Sequence, residues 1–136
     1  MSKNDTPPAA APRGLLCDMD GVIYHGSRIL PGTLELIDWL RQTRTPFLFL
    51  TNSSERTPRG LKEKLARMGV EVEEGNFHTS AQATASFLKA QAPGCSVYAI
   101  GEAGLINALY DAELSTNDVN PDYVVMGETR SYSYEK

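Results

Sequence analysis

From Gly14 onward, short apolar runs alternate with segments whose apolar residues recur at helical spacing, and few folds accept such a pattern. Leu15-Leu16-Cys17 reads as a strand ending at Asp18. Val22 to Leu30 carries β-branched and aromatic residues around His25-Gly26, the pattern of a small hairpin or flap. Pro31-Gly32-Thr33 opens a helix with Leu34, Ile37 and Leu40 on one face and Trp39 expected to cover the core. Pro46 to Leu50 is a continuous apolar strand, as in a parallel sheet buried on both faces. Thr57-Pro58 supplies an N-cap and a first-turn proline for a helix bearing Leu61, Leu65 and Met68 and closed by Gly69. Thr79 and Gln82 have capping-box spacing at the head of a helix from Ser80 to Ala90, which Pro93-Gly94 follows. Ser96 to Ile100 reads as a strand, Leu105, Ile106 and Leu109 as a helix, and Asp122 to Met126 as a last strand. The expectation is an α/β fold with a parallel sheet and right-handed crossovers.

Ligands in such folds sit at the carboxyl ends of the strands, and two strand ends here carry chemistry: Asp18 and Thr51. In Asp18-Met19-Asp20-Gly21, two carboxylates two residues apart repel unless a cation lies between them or one stays protonated. A hard divalent ion with oxygen ligands, magnesium above all, relieves the repulsion and offsets the charge of a phosphate dianion. One carboxylate can then attack phosphorus while the other handles protons, which suits Asp18 and Asp20 in that order. The plainer alternative is an Asx turn with both groups solvated. Thr51-Asn52-Ser53-Ser54 offers hydroxyls, an amide and successive N–H groups ahead of a helix, a cradle for phosphate. The alternative there is a polar connecting loop.

The 136 residues suffice for one modest domain, and a net charge of −4 gives no basic field for nucleic acid. No apolar run approaches the roughly 18–20 residues of a membrane span. Residues 1–13, rich in Pro and Ala, lack the apolar stretch of a signal peptide and read as a disordered tail. Cys17 and Cys95 fit no metal spacing and are expected as reduced, mostly buried thiols, which with the other features points to the cytoplasm.

Asp18-Met19-Asp20-Gly21-Val22-Ile23-Tyr24-His25-Gly26 resembles the first motif of the haloacid-dehalogenase (HAD) superfamily, and more narrowly its NagD-like and 4-nitrophenyl phosphatase-like branch, subfamily IIA. Thr51-Asn52 resembles the second motif, and the likeness continues through Thr79-Ser80-Ala81, Val97 to Leu109, and Val119 to Thr129. The resemblance implies a magnesium-dependent hydrolase of phosphate monoesters (nucleoside monophosphate, sugar or aryl phosphate) acting through an aspartyl-phosphate. It implies Asp18 as nucleophile, Asp20 as general acid/base, and Mg2+ held by the Asp18 carboxylate and the Asp20 backbone carbonyl. Thr51, Asn52 and Ser53 are the expected substrate contacts. The implied architecture is a Rossmann-like HAD core, incomplete, at residues 14–85, followed at 86–136 by the start of an α/β cap.

That family also uses a Lys and a second acidic motif beyond the cap. Gly101-Glu102 and Gly127-Glu128 imitate the acidic motif, but Ile106, Asn107, Tyr132 and Ser133 stand where its partner acid belongs. Lys62, Lys64 and Lys89 read as solvated helix residues. The sequence thus reads as a truncated frame or fragment, and the alternative function is a non-catalytic chain with at most weak magnesium or phosphate binding. With strands missing, Cys17, Leu48 and Leu50 are expected to lack neighbours, leaving a chain of marginal stability that associates with itself or a complementary fragment. His25 is expected exposed in the flap and His78 structural, and Tyr132 and Tyr134 are given no role.

Overall fold

The computed structural model describes residues 13–131. Nearly all of the expected tail, residues 1–12, and also Tyr132 to Tyr134, lie outside the described residues. The described chain runs β1 (Leu15–Asp18), a hairpin of β2 (Tyr24–His25) and β3 (Arg28–Ile29), α1 (Thr33–Gln42), β4 (Phe47–Thr51), α2 (Pro58–Arg67), a 3-10 turn (Glu74–Asn76) and β5 (Phe77–Thr79). It continues through α3 (Ser80–Gln91), β6 (Ser96–Ile100), α4 (Ala103–Asp111), β7 (Ser115–Thr116) and β8 (Tyr123–Met126). The strands form two parallel sheets, ordered β1-β4-β5 and β7-β6-β8, beside the antiparallel hairpin. The expected α/β architecture with parallel strands is what the chain adopts.

Each sheet has its own core. In the first, Phe49 is fully buried, with Phe47 edge-on at 5.3 Å and Phe77 at 5.8 Å between ring centroids. Ile37 and Leu40 of α1 and Leu61 and Leu65 of α2 close this cluster together with Met19, Ile23 and Tyr24. In the second, Ala81, Ala85 and Leu88 of α3 meet Leu105, Ala108 and Leu109 of α4 over Val97. The small alanines let the two helices approach closely, and the expected boundary after residue 85 falls within α3.

Local sequence explains the helix ends. Thr57 Oγ1 accepts the Gly60 N–H at 3.0 Å, with Pro58 in the first turn. Thr79 and Gln82 form the reciprocal capping box, at 3.2 and 3.0 Å. Gly69 takes φ +85°, the left-handed conformation that ends α2.

Four expectations change. Trp39 is 52% exposed and does not cover the core, because α1 turns Thr33, Ile37 and Leu40 inward. Leu34 lies outside that stripe, and Thr33 takes the inner place with its hydroxyl donating to the Ile23 carbonyl at 2.9 Å. Cys17 packs against the first core while its neighbour Leu16, on the opposite face of β1, is 68% exposed. Lys64 is half-buried, its ammonium 3.9 Å from the centre of the Tyr24 ring. Strands β5 and β7 carry no strand signal in the sequence, being too short for a period-2 pattern to register. Cys95 is buried and both cysteines are free thiols.

Candidate active site

Parallel pairing aligns the strand ends that the sequence singles out. Asp18 sits opposite Leu50 on β4, and Thr51 sits opposite Thr79 on β5. Asp18, Thr51 and Asn52 therefore converge on one open cleft of about 390 Å3, together with Leu16, Leu50, His78 and Ser80. Larger hollows of about 640 and 830 Å3 contain neither Asp18 nor Thr51. Functional chemistry, rather than volume, singles out the smaller one.

The first loop is built on backbone bonds. The Met19 carbonyl accepts from Val22 and Ile23, and Gly21 donates to the Tyr24 carbonyl at 2.8 Å, with Gly21 at φ +78°. Met19 is wholly buried, which turns the flanking Asp18 and Asp20 outward to solvent. Asp18 Oδ1 accepts the Met19 N–H at 2.8 Å, fixing the carboxylate at the strand end. Asp20 lies outside the lining of the cleft, beside Tyr24. Burial pushes the Tyr24 phenol up to about 12, the Asp20 carboxylate adds to the rise, and the Arg56 guanidinium opposes it.

The second loop follows β4. Thr51 is buried, and its Oγ1 accepts the Ser53 N–H at 3.1 Å. Ser80 Oγ donates to the Asn52 carbonyl at 2.8 Å. Ser53 is not brought to the cleft; its hydroxyl donates to Glu128 Oε2 at 2.7 Å.

The donor set suits a hard divalent cation in kind, because Asp18 and Asp20 present exposed oxygens and magnesium keeps several of its waters. Among the described residues no group of three or more His, Cys, Asp or Glu side chains is placed to hold a metal. Lys62 pairs with Glu73 at 2.8 Å and Lys89 with Glu113 at 3.1 Å, so these two are engaged rather than free.

Three residues escape the sequence reading. His78 lines the cleft, although the sequence marks it only as a structural residue before a helix, because its place is set by pairing with Leu50 of β4, which local sequence does not show. Ser80 lines the cleft as the first residue of α3. Arg56 places a cation near Tyr24, and the signal available is its position four residues beyond Asn52 in the same loop.

A family model for haloacid dehalogenase-like hydrolases matches residues 15–115. Over 123 residues the chain is 41% identical to the ribonucleotide monophosphatase NagD of Escherichia coli K12, covering 90% of this chain and 49% of that protein. Over 120 residues it is 42% identical to a dihydroxyacetone phosphatase of Corynebacterium glutamicum, covering 88% and 44% respectively. The solved structure of E. coli NagD superposes with a TM-score of 0.84 over 90% of this chain and 48% of that one, at 41% identity. The chain thus spans about half the length of the curated relatives it matches.

Proposed function

This chain belongs to the haloacid dehalogenase-like hydrolase family, and from that premise we propose that it carries the nucleophile end of a site that hydrolyses small phosphate monoesters. The single observation that bears most weight is the convergence of Asp18, Thr51 and Asn52 on one cleft at the ends of adjacent parallel strands. The names of the relatives, a ribonucleotide monophosphatase and a dihydroxyacetone phosphatase, support a nucleoside monophosphate or sugar phosphate as substrate class. Aryl phosphates belong with them as small monoesters.

In this reading an oxygen of the Asp18 carboxylate attacks phosphorus, and the bond from phosphorus to the ester oxygen breaks. The Asp20 carboxyl gives its proton to the departing alkoxide. Water then attacks phosphorus in the aspartyl-phosphate, its proton passing to the Asp20 carboxylate, and inorganic phosphate leaves with Asp18 restored. The buried Thr51 and the exposed Asn52 face the transferring group, and Ser53 acts by shaping the loop. Mg2+ would be held by the Asp18 carboxylate and the Asp20 backbone carbonyl and, when bound, offsets the charge of the phosphoryl group. We assign residues 14–85 to the incomplete catalytic core and 86–136 to the beginning of a substrate-covering cap, and place the protein in the cytoplasm. Among the described residues no helix is long and apolar enough to cross a membrane.

A second reading is a chain that holds magnesium or phosphate weakly without turnover. The engagement of Lys62 and Lys89 by surface carboxylates, and of Lys64 by Tyr24, favours it for the chain alone. An assay of aryl phosphate hydrolysis with and without magnesium, beside Asp18→Asn, decides between the two. Turnover that needs both magnesium and Asp18 supports the first reading. Turnover indifferent to Asp18 sinks the assignment of the nucleophile, and phosphate binding without turnover leaves the second.

A further inference from the structure

The loop after β4 is fastened by direct hydrogen bonds to α4 and to the segment that follows β8. Ser53 Oγ donates to Glu128 Oε2 at 2.7 Å and accepts the Glu55 N–H at 3.3 Å. The Glu128 N–H donates to Ser54 Oγ at 2.8 Å, and Ser54 is buried. The Gly104 N–H donates to the Glu55 carbonyl at 3.0 Å. Two glycines make the approach possible. A Cβ at Gly127 would meet Ser54 Oγ at 2.7 Å, and one at Gly104 would meet the Arg56 carbonyl oxygen at 2.7 Å and the Ser54 carbonyl oxygen closer still. Glu128 thus reaches across 75 residues of sequence to engage two consecutive serines, one through its side chain and one through its backbone.

We infer that Glu128 is a positioning residue: by accepting the Ser53 hydroxyl it fixes the shape of the Thr51–Ser54 loop and so the phosphate-binding geometry at the end of β4. The inference rests on the reading of that loop as phosphate-facing. A serine has one O–H, and Ser53 spends it on Glu128, so its oxygen is left to receive the Glu55 N–H and hold the turn. The same contact makes the site depend on the second sheet, since Glu128 directly follows the Gly127 that docks beneath Ser54.

The test uses the full chain with inorganic phosphate and magnesium, following backbone amide signals of the loop. In the wild type, phosphate should move the Thr51, Asn52 and Ser53 amides. Glu128→Ala should speed exchange of the Ser53 and Glu55 amides and weaken phosphate binding about tenfold, the scale of one charge-assisted hydrogen bond. Glu128→Gln keeps a carbonyl acceptor at the same reach and should restore most of both. Ser53→Ala should reproduce Glu128→Ala, and the double variant should add nothing further. Equal phosphate affinity and equal exchange in wild type and Glu128→Ala would overturn the role of Glu128 alone. Phosphate that leaves the wild-type loop amides unmoved would overturn the phosphate-facing reading and the role of Glu128 with it. If Glu128→Ala fails to fold, Ser53→Ala and Glu128→Gln decide the matter by the same two readouts.

Discussion

Tyr24 shows how closely the first loop joins core and chemistry. Its ring is buried under Lys64, and its phenol, raised by burial and by Asp20, titrates at about 12 instead of 10.0. The neutral phenol is favoured in the fold, so this stabilisation is fully present below the unfolded value and is lost as pH rises from about 10 through about 12. Denaturant unfolding at a series of alkaline pH values should show stability falling more steeply for the wild type than for Tyr24→Phe within that window. Parallel slopes would mean that Tyr24 titrates normally. At this scale the sequence was most legible where residue type and neighbourhood agreed. Asp18, Thr51 and Asn52, which share one cleft, are legible because polar groups end or directly follow apolar strands, whereas Asp20 and Ser53, singled out in the same two runs, lie outside its lining. His78 and Glu128 are not legible, because each owes its place to a partner distant in sequence, β4 in one case and Ser53 in the other.

Helices and strands were legible wherever their ends carry local signals. Thr57-Pro58, the Thr79–Gln82 box and Gly69 mark boundaries that the structure keeps, since caps are short-range hydrogen bonds. Thr79→Ala should therefore cost about 1 kcal/mol in thermal or denaturant unfolding. A change below a few tenths would show that α3 is held by packing alone. The face of α1 was less legible, as one residue of helical phase separates a buried Leu34 from the buried Thr33 observed. The tight seam between α4 and the Thr51 loop could not be read at all, because nothing near Gly104 in sequence shows what opposes it. Gly104→Ala forces a methyl group against the backbone of Ser54 and Arg56 and should destabilise by roughly 1–3 kcal/mol. Unchanged stability would mean that the seam yields without cost.

At the scale of the whole molecule, apolar surface stays open. Leu16 is 68% exposed on one sheet, and Val124 and Met126 are 62% and 65% exposed on the other. Faces of this kind favour association. The chain alone is expected to unfold at low denaturant and to self-associate with rising concentration, as sedimentation would report, and Leu16→Ser should weaken the association. A sharp two-state melt of a monomer would contradict this. The parallel α/β class was readable from alternation alone, whereas alternation does not give the two sheets, each with its own core, because period and propensity do not say which strands pair; only the family resemblance divides the chain in two, after residue 85. The central claim, that the end of β1 presents a phosphorylatable carboxylate, is tested most directly by incubating the chain with magnesium and a small acyl phosphate donor, quenching in acid and mapping phosphorylated peptides by mass spectrometry. One phosphoryl group on the peptide containing Asp18, labile to hydroxylamine and absent from Asp18→Asn, is the predicted result. A label on another residue, or none on a folded chain shown to bind phosphate, would contradict it.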